Sequence, residues 1–408
     1  LALNAVRSDA NACIELRKIR TVGAFTRTAS RGGMLPGPDA CENGRYCEMC
    51  IDWKPIRYGN ELVQQPKMTL KRLAAVLGVH SSTVGRVMNP QTRHMVSDEV
   101  AQRILKEAAS HGYRPNKIAA ALRTRRSNII GVVLPDITNP VFPPVLLGIE
   151  DALRKQGYVT IVANAGEDQA QQRFVVDQLL ARQVDALILA TVTRNDAILD
   201  YCLAAGVTTV TVNRGEDSHR VSSVVNDEIE GMRLAVEHLV GLGHRHIVHF
   251  VGPQNLSTGH LRREGFVTAM AAHGVLEEDL CFVECSSYSR EAGRLACEEA
   301  LARYPHATAI LAANDLLALG CYDSLRAHGL RCPEDLSVVG HNDMPFADLV
   351  DPPLTTIRIR LHDMGMQAAR LILRHLQMDE PVGGMEIRMK PELVVRRSSD
   401  APRVAARD

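Results

Sequence analysis

From Ile129 onward the chain alternates short apolar runs with amphipathic segments. The runs IIGVVLP (129–135), VTIVAN (159–164), DALILAT (185–191), VTTVTV (207–212), HIVHFVG (246–252), ATAILAA (307–313) and LSVVG (336–340) have the length and β-branched content of buried strands. Between them, stretches such as VLLGIEDALRKQGY (145–158) and EAGRLACEEALARY (291–304) put apolar residues at helical spacing. Repeated strand–helix–strand units predict parallel sheets with helices on both faces. The strands are too many for one modest sheet, so two α/β lobes are expected. Ligands then belong in the cleft at the carboxyl ends of the strands.

A different pattern fills the stretch before this body. Thr69 is a good N-cap, and Leu70, Leu73, Ala74 and Leu77 follow at helical spacing until Gly78. Val84, Val87 and Met88 share the face of a second short helix that opens near His80, so Ser81, Ser82, Gly85 and Arg86 must point away from a small core. A third segment begins at Ser97, sets Asp98 and Glu99 in its first turn, and runs through Val100, Ile104 and Ala108 to Gly112. Two helices joined by a tight Gly turn and braced by a third form the helix-turn-helix plan. Short polar residues at the start of the second helix let it sit deep in a major groove, with Arg86 able to reach guanine or a phosphate. The bland alternative is a surface helix of a small bundle.

Charge favours the DNA reading. The chain of 408 residues is formally neutral, yet residues 67–126 carry a net charge of +9, residues 1–66 carry +2, and the remainder carries −11. A basic block on an acidic body suggests one small module that meets a polyanion. No apolar run reaches the roughly 18 residues of a membrane span. No compact apolar segment with a small-residue cleavage site begins the chain, so a cytoplasmic location without a membrane partner is expected.

Residues 1–66 show no sustained periodicity, and RGGMLPGPDACENG is dense in turn residues; a disordered or mis-started leader is expected, with Met68 as a natural beginning. The ten cysteines form no disulfide framework. Cys41, Cys47 and Cys50 cluster, but no fourth ligand stands at finger spacing, and no metal or other cofactor is expected.

The motifs TLKRLAAVLGVHSSTVGRVMN, GYRPNKIAAALRTRRSNIIGVVLPDITNPVF, AANDLLALG, LSVVGHND and PPLTTIR occur in that order, and from about Met68 to about Ser398 the chain resembles the lactose and galactose repressor (LacI/GalR) family of bacterial transcription regulators. The resemblance implies a helix-turn-helix domain at 67–114 and a hinge at 115–127 whose Leu122 wedges into the minor groove. It implies a periplasmic-binding-protein-like, two-lobed body at 128–398, with three chain crossings, and a tail at 399–408. DNA contacts carried over onto this sequence are Thr69, Ser81, Ser82, Thr83, Arg86, Asn89, Asn116, Lys117, Ala119, Leu122 and Arg123. The chain departs from the family at His80 and Gly85, where serines are usual. His80 is expected to cap more weakly, and a glycine inside a helix costs roughly 0.5–1 kcal/mol relative to alanine.

Candidate effector contacts fall at strand ends and adjacent loops: Asn139, Phe142, Arg214, Arg262, Asp315 and Asp343. By resemblance Phe142, Arg262 and Asp315 are the strongest. An aromatic face can cover a sugar, and an Arg with a carboxylate can bind its hydroxyls. For Arg214, Asn139 and Asp343, turn-forming or surface roles are equally open, and Asp136 reads as a loop cap. The only tryptophan, Trp53, lies in the leader, leaving Phe142 and Tyr288 for stacking. The stretch SSYS (286–289) looks like the corresponding segment of gluconate-responsive members and leans towards a sugar acid.

Other classes fit less well. In GLGHRHIVHFVG the glycines precede the strand, which defeats dinucleotide binding, and His244 and His246 are expected on one strand face with His249 on the other. No Walker motif or serine elbow occurs, so catalysis is not expected. A solute receptor would need a signal peptide in place of the basic module, and a sensor with impaired DNA binding remains as an alternative. The expected function is that of a homodimeric repressor that reads a near-palindromic double-stranded operator under control of a sugar or sugar acid.

Overall fold

The computed structural model describes residues 68–89, 92–113, 126–378 and 384–403. Helix α1 (Leu70–Leu77) starts where Thr69 Oγ1 accepts the Arg72 amide at 3.3 Å, and it stops at Gly78, whose φ of +64° is the left-handed C-cap conformation. Helix α2 spans Ser81–Met88, and after one 3₁₀ turn at Arg93–Met95 comes α3, Asp98–Ser110. Leu73, Ala74, Val84, Val87, Ala101, Ile104 and Ala108 bury the apolar stripes of the three helices against one another. Arg103 donates to the Leu77 carbonyl at 3.1 Å and Arg93 to that of Val87 at 3.0 Å, capping the ends of α1 and α2. The expected helix-turn-helix is therefore formed.

Among the described residues, the body contains two six-stranded sheets. In the first lobe the strands are β1 (Ile129–Leu134), β2 (Val159–Asn164), β3 (Ala186–Leu189), β4 (Thr208–Val212) and β5 (Ser222–Asn226), with helices α4 (Phe142–Arg154), α5 (Gln169–Ala181) and α6 (Ala197–Ala204). The second lobe holds α7 (Glu228–Gly241), β6 (Ile247–Val251), α8 (Ser257–Ala272), β7 (Cys281–Glu284), α9 (Arg290–Arg303), β8 (Ala309–Ala312), α10 (Asp315–Ala327), β9 (Ser337–Asn342) and β10 (Thr355–Arg358). Helix α11 (Leu361–Gln377) and β11 (Glu386–Met389) return to the first lobe, and β12 (Glu392–Val394) to the second. The sheet orders are β11-β5-β4-β3-β1-β2 and β12-β10-β9-β8-β6-β7, parallel throughout except for the β10–β12 pair. The chain thus crosses between lobes three times, after β5, after β10 and after β11. Glycines let α4 and α11 touch backbone to backbone: a Cβ at Gly148 would lie 2.0 Å from the His362 carbonyl oxygen.

Three expectations need correction. The run VTIVAN is an edge strand instead of a buried one, and Val159 is 53 % exposed, because β2 ends the sheet order. His244 and His246 precede β6, which starts at Ile247; His244 instead bonds Thr308 Oγ1 at 2.9 Å and the Asp400 carbonyl at 2.8 Å. The body also continues past Ser398. Ser399 bonds Thr355, the Asp400 amide donates to Ser337, and Arg403 pairs with Asp335, so the second lobe extends through 403.

Candidate DNA-reading and effector sites

The outer face of α2 presents Ser82 and Arg86 to solvent, with Ser81, Thr83 and Asn89 half-buried beside them. This arrangement follows from the burial of Val84 and Val87 on the opposite face. Thr69 is exposed, but its hydroxyl oxygen is used to cap α1. His80 caps α2: Nδ1 accepts the Ser82 amide at 3.3 Å and lies 2.8 Å from the Ser82 hydroxyl. Asn116, Lys117, Ala119, Leu122 and Arg123 fall outside the described residues.

The lobes touch across the cleft through the Arg194 amide, which donates to the Asn255 carbonyl at 3.0 Å, and the Gly215 amide, which donates to Ser257 Oγ at 3.0 Å. Between them lies a cavity of about 250 Å³. Arg194, Asn213 and Glu216 wall it from the first lobe, Ser257, Thr258 and His260 from the second, and Asn226, Asp227 and Glu228 form its back at a chain crossing. Asn226 is 2 % exposed, and among the described residues neither atom of its carboxamide has a protein partner. A buried amide in that condition is costly unless a ligand or solvent satisfies it.

Arg262 stands behind this wall and does not line the cavity. Its Nε and Nη2 hold the Glu228 carboxylate at 2.7 and 3.0 Å, with both side chains 3 % exposed or less. Nη1 donates to the Ala313 carbonyl at 2.5 Å, and Nη2 also reaches Asn342 Oδ1 at 3.4 Å. Burial works against the Arg262 charge, but Glu228, Tyr288 and Asp315 together outweigh it and hold the guanidinium above its usual range. His341 Nε2 stands 3.3 Å from the same carboxylate without hydrogen-bond geometry, and burial together with Arg262 keeps its imidazole neutral. Tyr288 donates to Thr258 Oγ1 at 3.1 Å, its ring 5.8 Å from the guanidinium.

The other residues selected from sequence also sit outside the cavity lining. Phe142 is 2 % exposed and packs in the first lobe's core with Val145 and Ile149. Asp315 accepts the Met344 amide at 2.7 Å and the Thr356 hydroxyl at 2.5 Å. Burial pushes its carboxyl up to about 7. Asp343 is held by Arg358 and Arg396, each at 2.6 Å, and its neighbour Asn342 turns towards Arg262 instead. Arg214 forms a two-pronged pair with Glu167 at 2.9 and 3.1 Å. Asn139 accepts the Val141 amide at 3.1 Å, a turn role; Asp136 likewise caps its loop through Thr138. Sequence reasoning missed Asn226 and Glu228. Ser222 and Ser223 disguise the strand that ends in Asn226, and Glu228 resembles an ordinary acid at a helix start.

Residues 236–399 match the model of a periplasmic binding protein-like domain. The transcriptional regulator CelR of Thermobifida fusca is 33% identical over 345 residues, covering 81% of this chain and 98% of that protein. Among solved structures, the CelR–cellobiose complex matches with 29% identity and a TM-score of 0.62, over 82% of this chain and 100% of that one. The lac repressor dimer bound to operator and an anti-inducer matches with 28% identity and a TM-score of 0.73, again over 82% and 100%. With three helices in a helix-turn-helix plan, two lobes, three crossings and these relatives, the chain belongs to the lactose and galactose repressor family of bacterial transcription regulators.

Proposed function

We propose that this protein is a homodimeric repressor that binds a near-palindromic operator through α2 and the hinge and changes its DNA affinity when a sugar-class effector fills the interlobe cavity. The observation that carries the effector half is Asn226, a buried carboxamide that lines the cavity at a chain crossing and has no protein partner among the described residues. The exposed Ser82 and Arg86 on α2 support the DNA half. A ligand that bridges Asn213 and Glu216 on one lobe and Thr258 on the other favours one lobe arrangement over the alternatives, and that differential affinity is what shifts DNA binding.

The test is duplex selection from a random pool by the full chain at fixed salt, followed by titration of the selected operator complex with a panel of mono- and disaccharides. Salt is held constant because phosphate contacts alone can mimic affinity. Enrichment of a near-palindrome and its release or tightening by one sugar supports the reading. Failure to enrich any sequence removes the DNA half; indifference to every sugar removes the effector half.

A further inference from the structure

We infer that Glu228 makes this cavity selective for uncharged sugars and excludes sugar acids and sugar phosphates. The inference rests on the sugar reading above and narrows it. An arginine at this cleft would ordinarily invite a carboxylate or phosphate. Here the guanidinium is screened from the cavity by Glu228, which lines the wall and takes both of the forked donors of Arg262. The third direction of the guanidinium is spent on the Ala313 carbonyl. An incoming ligand therefore meets a carboxylate where a bare arginine would have stood.

The rest of the lining points the same way. Glu216, Asp217, Asp227 and Glu386 join Glu228 in the wall, against Arg194 and Arg388. Arg194 is already paired with Asp217 at 2.9 Å and Arg388 with Glu386 at 2.5 Å. An anionic ligand would have to face Glu228 or displace it from Arg262, and displacement leaves a buried carboxylate without its partner. A hydroxyl group meets no such obstacle. It donates to the carboxylate and exchanges hydrogen bonds with the unpartnered Asn226 amide. The segment 286–289, which resembles that of gluconate-responsive members, contributes no residue to this wall, and Ser289 caps α9.

The test compares wild type with E228Q in the full chain, using acetate as the smallest carboxylate probe and chloride at equal ionic strength as control. E228Q uncovers the Arg262 charge, so acetate should raise its melting temperature with a half-saturating concentration at least about ten-fold below any acetate effect on wild type. If E228Q folds poorly, its refolding yield in acetate against chloride gives the same readout. Equal acetate responses in the two proteins, or none in either, overturn the inference. Matched pairs, glucose with glucuronate and galactose with galacturonate, are then titrated against the operator complex. A wild type that responds better to the acid member also overturns it. A wild type that ignores every sugar, while E228Q still responds to acetate, refutes the sugar reading and leaves the exclusion of anions by Glu228 standing.

Discussion

The imidazole Nδ1 of His80 accepts the backbone amide of Ser82 at 3.3 Å and stands 2.8 Å from its hydroxyl, so a residue that is unusual as an N-cap closes the first turn of the helix proposed to read DNA. Replacing His80 by Ala should remove the acceptor and cost about 1 kcal/mol in the opening of α2, whereas H80S should be nearly neutral. Hydrogen exchange at the amides of residues 82–84 measures this directly. Equal protection in H80A and wild type would mean that the cap carries no energy.

Gly85 lies mid-helix in α2, where among the described residues a Cβ would meet only Leu70 Cδ1 at 3.9 Å, an ordinary contact. The site is open, and the glycine only loosens the helix. G85A should raise the free energy of α2 opening by about 0.5–1 kcal/mol. The same exchange experiment checks it, and faster exchange in G85A would reveal a backbone conformation that alanine cannot adopt.

Arg86 is exposed on the α2 face opposite Val84 and Val87. If it reads a base edge, R86A should lower cognate affinity by about 1–3 kcal/mol and relax preference at one base position, with the salt slope unchanged. Binding isotherms at several salt concentrations decide the matter. A uniform loss across sequences with the slope reduced by about one would assign Arg86 to a phosphate instead.

The parallel sheets, the helix-turn-helix and even Gly78 as a stop were legible because periodicity and turn chemistry are local. The site was less legible because its geometry is not. Arg262 stands behind the cleft wall, and nothing within its own helix announces Glu228, 34 residues earlier, as its partner. Phe142 opens α4 at the end of a strand–loop unit, yet the core of the first lobe consumes it. The Asn342–Asp343 pair turns on backbone direction at the end of β9, where both residues have positive φ, 115° and 51°. Only tertiary structure decides which of two adjacent polar residues faces Arg262.

Arg262 is a stability residue before it is a binding residue. Breaking a buried ion pair leaves one charge uncompensated, so R262A should destabilise the body by about 3–5 kcal/mol, while R262M combined with E228M should recover most of that loss. A double-mutant cycle by urea unfolding gives the coupling. A double variant no more stable than R262A would mean that the Glu228 carboxylate has other buried partners of equal weight.

Asp315 gives the protein a pH dependence of unusual sign. Its carboxyl is fully buried, and burial, opposed by the Thr356 hydroxyl and the Met344 amide, raises it to about 7 from an unfolded value near 3.8. Between those values the folded chain holds a proton that the unfolded chain has lost. The Asp315 contribution to stability is therefore greatest below pH 4 and falls as pH rises towards 7. His249 acts oppositely over part of the same window: burial lowers its imidazole to about 4, so protonation favours the unfolded chain as pH drops below 6.5. The two slopes partly cancel in wild type. In D315N the carboxamide can still accept from Met344 and donate to Thr356, but it does not titrate. The stability of D315N relative to wild type should accordingly rise between pH 4 and 7 by an amount on the order of a few kcal/mol, and its own profile should show a steeper acid decline. Urea unfolding of both proteins at half-unit pH intervals measures the difference; a difference constant across that window would mean that Asp315 stays ionised in the folded protein.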